Sequence, residues 1–264
     1  MKTNNQPKLK KLARQLDHGD QVRAYQAQMA LMKLEAELGA ASAQRERQRA
    51  CGQIVEILAA KDDVIDPKKP KEKPKKQARY SAQARRQFIR VLAVIGGDSE
   101  VSALEEALDD FEVREMARWA LDRMPAERAA DVLADAATKT VGDEFRIGVV
   151  NSLGRKATSP EVVSALRKCL SDSEPEIRLA AVEALANHAD ASLDPAIAAV
   201  AKGATAASSR RTKLRVSKAR MRLAERLSKQ GDKDAAQKIY DSLAKDDAEG
   251  VQKRAAGLAR DNRG

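Results

Sequence analysis

Two histidines, two cysteines and one tryptophan are the side chains with which this sequence could do more than carry charge. A metal centre needs three or four His, Cys or carboxylate ligands in a cluster. His18 and His188 stand far apart in the chain, and Cys51 and Cys169 show no CxxC spacing, so no metal and no cofactor is expected. Nucleophilic catalysis needs a base held beside a serine or cysteine. His188 lies near a helix end, where capping or solvent exposure is expected. Gly96-Gly97 reads as a helix C-cap, not as a phosphate-binding loop. Glu105-Glu106 and Asp109-Asp110 are ordinary for solvated helix faces and starts. The cysteines fall on apolar helix faces and read as small buried hydrophobes, and two thiols make no disulfide framework. These residues point away from an enzyme.

The best candidate binding surface is cationic. Within SSRRTKLRVSKARMRLAERL (208–227), five cations share one side of the helix: Arg211, Arg215, Lys218, Arg222 and Arg226. They span an arc of about 80° on an ideal helix. Leu214, Val216, Met221, Leu223 and Leu227 lie outside it and can pack. Five cations in a stripe can contact several phosphates. Two readings stand: nucleic acid or another polyanion, or a face that is solvated or meets a protein. The segment has no aromatic residue on which a base could stack, which weighs against single-strand binding.

These residues must be positioned by helices. Gly (13) and Pro (8) are scarce and aromatics make 3% of the 264 residues, so strands have little to build on. Ala, Leu, Arg, Lys and Glu dominate, and all favour helix. The net charge of +10 is uneven: +8 over 1–80, −6 over 81–205 and +8 over 206–264. Such a division bears on partners, not on fold.

One pattern recurs: an apolar residue, then Arg, then an Ala/Leu-rich stretch. It runs from Ala84-Arg85 to Leu92, Val113-Arg114 to Leu121, Phe145-Arg146 to Leu153 and Ile177-Arg178 to Leu185. The arginines are 29, 32 and 32 residues apart, and the leucine always follows seven residues later. Weaker echoes stand at Leu214-Arg215 and Val251-Gln252. Each unit reads as two helices that cannot bury their apolar stripes alone and must stack on neighbours. In the clearest unit, Ser173 is a candidate N-cap and Pro175 lies in the first turn.

The parse is a basic N-terminal tail (1–19) and a helical hairpin (20–61, helices near 20–38 and 43–60), then a Lys/Pro-rich linker (62–81). Four repeats follow over 82–203, divided near 110, 138 and 171. A longer helix pair (near 208–230 and 233–245) and a capping helix (247–261) occupy 204–264. Residues 66–76 (DPKKPKEKPKK) carry three prolines and six lysines and read as extended, solvated chain. No run of about 18 apolar residues exists, so no membrane span is expected, and the polar N-terminus suggests a cytoplasmic chain.

The segments SEPEIRLAAVEALANHAD (173–190), DDFEVREMARWALDRMP (109–125), ARRQFIRVLAVIGGDSEVSALEEALDD (84–110) and VGDEFRIGVVNSLGRKATSPEVVSALRKCLSD (141–172) resemble the HEAT/PBS-lyase-type repeat family. The resemblance covers 80–205, and 206–261 more weakly. It implies an all-α solenoid of helical hairpins wound as a right-handed superhelix, as found in bacterial repeat proteins. Its members bind proteins, and sometimes nucleic acid. The motif specifies fold better than function. The recurring arginine of such repeats pairs with an acid of a neighbouring repeat. That assigns Arg85, Arg114, Arg146 and Arg178 to a structural ladder, with Asp110, Asp143 and Asp172 as partners. The class also includes glycosylase-like and bilin-lyase-like enzymes. A glycosylase would want an aromatic and a carboxylate in a basic groove. Trp119 lies four residues from Glu115 and three from Asp122, but in the acidic middle of the chain, so a packing role is expected. The resulting expectation is a non-catalytic scaffold with a protein partner, with polyanion binding as the alternative.

Overall fold

The seven-residue interval from arginine to leucine keeps both near one helix face, and that face is core. Leu92, Leu121, Leu153 and Leu185 are fully buried, and so, to 2% or less, are Ala84, Val113, Phe145 and Ile177 before each arginine. Truncating any of these leucines to alanine costs about 2–5 kcal/mol.

A computed structural model of the chain describes residues 9–17, 19–64, 68, 73–139, 143–203, 209–245 and 251–263. Its fold is an all-α solenoid, and within each unit helices pack on neighbours in sequence and on the equivalent helix of the next repeat. Two units divide it, Met1–Ala129 and Ala130–Gly264. The division falls within α7 (Glu127–Thr138).

The first unit contains α1 (Leu9–Leu16), α2 (Gln21–Leu38), α3 (Gln44–Ala59), β1 (Lys61–Val64), β2 (Lys75–Ala78), α4 (Ala82–Ile95), α5 (Val101–Leu108) and α6 (Arg114–Arg123). Asp20 starts α2 by accepting the Val22 and Arg23 N–H groups at 2.9 and 3.3 Å. Ser81 starts α4 in the same way, accepting the Ala84 N–H at 3.2 Å. The Asp17 carboxylate takes the Ser81 hydroxyl and N–H. Residues 9–16 are therefore more than a basic tail. Leu9, Leu12, Ala13 and Leu16 follow helical spacing and are buried, and α1 packs on α2, α3 and α4. The α2–α3 hairpin is also part of the stack. Ala27, Leu31, Leu34 and Leu38 of α2 and Ala50, Cys51, Ile54 and Ile57 of α3 are buried, and both helices touch α4.

The linker differs from a wholly extended chain at its ends. β1 and β2 pair antiparallel, with Asp62 opposite Gln77 and Asp63 opposite Lys76. Opposite charges close this exposed pair: Lys76 to Asp63 at 2.8 Å and Arg79 to Asp62 at 2.7 Å. The Arg79 hydrogen bond holds the Asp62 carboxyl below its ordinary pKa. Most of 66–72 lies outside the described residues.

The second unit contains α8 (Asp143–Leu153), α9 (Pro160–Cys169), α10 (Pro175–Leu185), α11 (Asp194–Lys202), α12 (Ser209–Lys229), α13 (Lys233–Leu243) and α14 (Val251–Arg263). Glu174, not Ser173, holds the N-cap position of α10, and Pro175 opens the helix. The α8–α10 crossing is close. A Cβ on Gly154 would stand 2.8 Å from Ala184 Cα and 2.9 Å from its Cβ, so only glycine fits there. Gly231 adopts φ 96° after α12, where the Asp232 N–H reaches back to the Leu227 carbonyl at 2.9 Å. Asp232 then caps α13 through the Ala235 N–H at 3.1 Å. The buried Asn262 docks α14: its amide donates to the Lys233 carbonyl at 2.9 Å and its oxygen accepts from Ser228.

Candidate functional site

Two of the recurring arginines build the same device, one in each unit. Arg85 on α4 is 5% exposed and meets the Asp110 carboxylate, with Glu112 at 3.1 Å and the Tyr80 carbonyl at 3.2 Å from Nε. Asp110 also accepts the Glu112 N–H at 2.9 Å. Arg146 on α8 is 9% exposed and meets Asp172, with the Ala137 carbonyl 3.3 Å from Nε. Asp172 accepts the Glu174 N–H at 3.0 Å. In each case an arginine grips the turn before the next repeat. The aspartate uses one oxygen for the arginine and the other to shape that turn. Burial opposes charge on Asp110 and Asp172. The guanidinium and the backbone N–H outweigh it, and both carboxyls are held below the usual aspartate range.

The other two arginines make contacts of other kinds as well. Arg178 donates to the backbone carbonyls of Asp172 and Ser173 at 2.6 and 2.8 Å. Arg114 lies over the Phe111 ring, 4.6 Å from its centroid. Asp143 opens α8, and its side chain lies outside the described ones. Trp119 is half-buried, with Arg123 5.1 Å from its ring centroid.

The cationic stripe of α12 divides in two. Arg215 is held by α10, with Glu176 at 2.7 Å and Glu183 at 2.8 Å, and the exposed Arg211 leans on Glu176 at 3.4 Å. A helical wheel of α12 alone cannot show this, because the carboxylates come from another helix. Lys218, Arg222 and Arg226 have no ion-pair partner among the described residues, and Lys218 and Arg226 are exposed. The tightest pair of this region lies off the stripe. Arg220 forks onto Asp194 at 2.6 and 2.9 Å and reaches Ser242 at 3.2 Å, tying α12 to α11 and α13. Its only sequence signal is its place on the packing side of α12.

His188 is not exposed, as its helix-end position suggests, but 5% exposed. The close approach at Gly154 brings the chain after α10 against α8, and Thr158 then meets Nδ1 at 2.8 Å. Among the described residues Nε2 has no hydrogen-bond partner. Burial lowers the imidazole pKa, Arg226 adds to this, and the nearby Leu153 carbonyl opposes it. Both cysteines are buried. Burial, helped by Glu100, pushes the Cys51 thiol up to about 12, and burial raises Cys169. Such thiols are poor nucleophiles at neutral pH. Among the described residues no group of His, Cys, Asp and Glu is arranged to hold a metal ion. None of their helices is long and apolar enough to cross a membrane.

Comparison with known proteins places this geometry. The family described as HEAT repeats matches residues 76–154 and 143–219. No curated protein matches the sequence. Among solved structures, an engineered protein is similar at 22% identity over 97% of this chain and 68% of its own, with a TM-score of 0.43. The CpcE–CpcF complex of phycocyanin lyase from Nostoc sp. PCC7120 shares 16% identity over 99% and 98%, with a TM-score of 0.41. Human deoxyhypusine hydroxylase shares 18% over 96% and 95%, with a TM-score of 0.37. With the family match spanning more than half of its length, this chain belongs to the HEAT-repeat family.

Proposed function

We propose that this protein is a non-catalytic HEAT-repeat scaffold whose function is to bind another protein. The observation that carries the reading is where its reactive side chains are used. Arg85 and Arg146 are paired with aspartates of the following turns and Arg215 and Arg220 with carboxylates of neighbouring helices, and both thiols are buried with raised pKa. This use of charged and thiol groups in the framework supports a reading in which the repeats serve surface recognition. Capture from native lysate with and without nuclease tests it. A protein retained after nuclease treatment is the expected result, and recovery of nuclease-sensitive material alone contradicts it.

A second reading rests on Lys218, Arg222 and Arg226. These cations, without an ion-pair partner among the described residues, lie on one side of α12 within an arc of about 80° on an ideal helix, and suit phosphate contacts. Binding of this kind weakens steeply with salt, by close to one counterion per phosphate contact. An oligonucleotide anisotropy titration over a range of salt measures that slope. A flat response removes the polyanion reading.

A further inference from the structure

Helix α2 is apolar on two faces. One carries Ala27, Leu31, Leu34 and Leu38 and is buried in the first unit. The other lies about 170° away on an ideal helix and carries Val22, Tyr25, Met29, Met32 and Ala36. These are exposed, the first four at 64%, 63%, 44% and 45%. Single exposed apolar residues are common and need no explanation. Five at intervals of three, four, three and four are the a and d positions of a heptad seam, the spacing by which two helices pack knobs into holes.

The rims of the seam decide what it fits. The flanking positions are Gln21, Gln28 and Glu35 on one side and Gln26 and Lys33 on the other. Glu35 is turned inward, 18% exposed at its side chain and 3.3 Å from Arg90. Seams that select a different partner carry charges at these positions. Here the rims are mostly glutamine, although residues 1–80 as a whole carry a net +8. We propose that this face of α2 joins two copies of the chain about a two-fold axis.

Laid antiparallel, Val22 of one copy packs on Met32 of the other and Tyr25 on Met29, a favourable sulfur–aromatic contact. Across the rims Gln28 and Gln26 each meet their own copy, and Lys33 falls level with Gly19. No like charges are opposed, and such an interface is self-complementary. The row is about 21 Å long, shorter than a standard interface of about 800 Å² per partner provides. The dimer is therefore weak, with dissociation in the micromolar range.

Sedimentation velocity of the full chain over about 1–300 µM tests this. The expected result is a monomer that becomes a dimer as concentration rises, with little response to salt. The double variant Tyr25→Glu/Met29→Glu raises the dissociation constant about a hundredfold. Its far-UV circular dichroism and melting temperature stay as in the wild type, because both side chains are exposed. A monomer at every concentration overturns the proposal. So does a dimer that salt dissolves, one that the double variant leaves unchanged, or a seam that pairs only when another protein is added.

Discussion

Asp172→Asn removes a charge and little else, which makes it a sharp probe of the arginine–aspartate device. The Asp172 and Arg146 side chains are 12% and 10% exposed. An asparagine oxygen can keep the 3.0 Å bond from the Glu174 N–H. The amide nitrogen then faces Arg146, donor against donor. Arg146 keeps its 3.3 Å bond to the Ala137 carbonyl and loses the Asp172 carboxylate. A lost charge-assisted hydrogen bond costs about 1.5–3 kcal/mol. The low exposure of both side chains puts the loss near the top of that range, about 3 kcal/mol. Asp110→Asn is the internal comparison. Asp110 is 36% exposed, and Arg85 retains Glu112 at 3.1 Å. Water and the second carboxylate absorb much of that loss, leaving about 1 kcal/mol.

Urea unfolding at pH 7, followed by far-UV circular dichroism, measures both variants. The pH dependence has a definite sign. Both folded carboxyls titrate below their unfolded value, ordinarily near 3.9. Their stabilisation is present above that value and is lost as pH falls through the depressed folded pKa. Wild type therefore weakens below about pH 4 more steeply than Asp172→Asn. If Asp172→Asn stays within about 0.5 kcal/mol of wild type, or costs less than Asp110→Asn, the assignment of weight by burial is wrong.

Three further outcomes follow from the second unit and the cysteines. Gly154→Ala forces a Cβ to within 2.9 Å of Ala184 and lowers stability by about 1–3 kcal/mol in the same unfolding assay. His188 is buried with a depressed pKa, so it favours folding above about pH 6.5 and that contribution fades as pH falls below the unfolded value. His188→Gln, which can still accept from Thr158, flattens the decline in stability between about pH 7 and pH 5. Cys51 and Cys169 stay unreactive to a disulfide reagent such as DTNB at pH 8 in the native state. Both react once urea unfolds the chain, and fast native-state reaction of either contradicts its burial.

The recurring helix face was legible in the sequence because burial acts at fixed spacing. The residue before each arginine and the leucine seven after it are core in all four repeats. What the arginines do was less legible. Arg85 and Arg146 reach aspartates, whereas Arg178 reaches carbonyls. The partner depends on the turn that the next repeat presents, and the arginine's own helix carries no record of it. Arg215 and Arg220 make the same point for the basic helix, since their carboxylates come from α10 and α11. Helix α1 was hidden by lysines between its leucines, which draw attention to charge over an otherwise helical apolar spacing. His188 was misread because nearness to a helix end usually means solvent, while the glycine at the close approach beside it follows α8, far away in sequence. The outer row of α2 is obscured by the buried row behind it, since apolar residues on opposite faces cancel as an amphipathic signal.

The claim that matters most is that this repeat array recognises a protein. Capture from nuclease-treated lysate at about 0.3 M salt, where phosphate contacts are strongly weakened, tests it with two baits. One is the wild type and the other is Lys218→Ala/Arg222→Ala/Arg226→Ala. The account predicts that both retain the same protein in similar yield. Loss of all retained protein under nuclease and salt, or its loss from the triple variant alone, would contradict it.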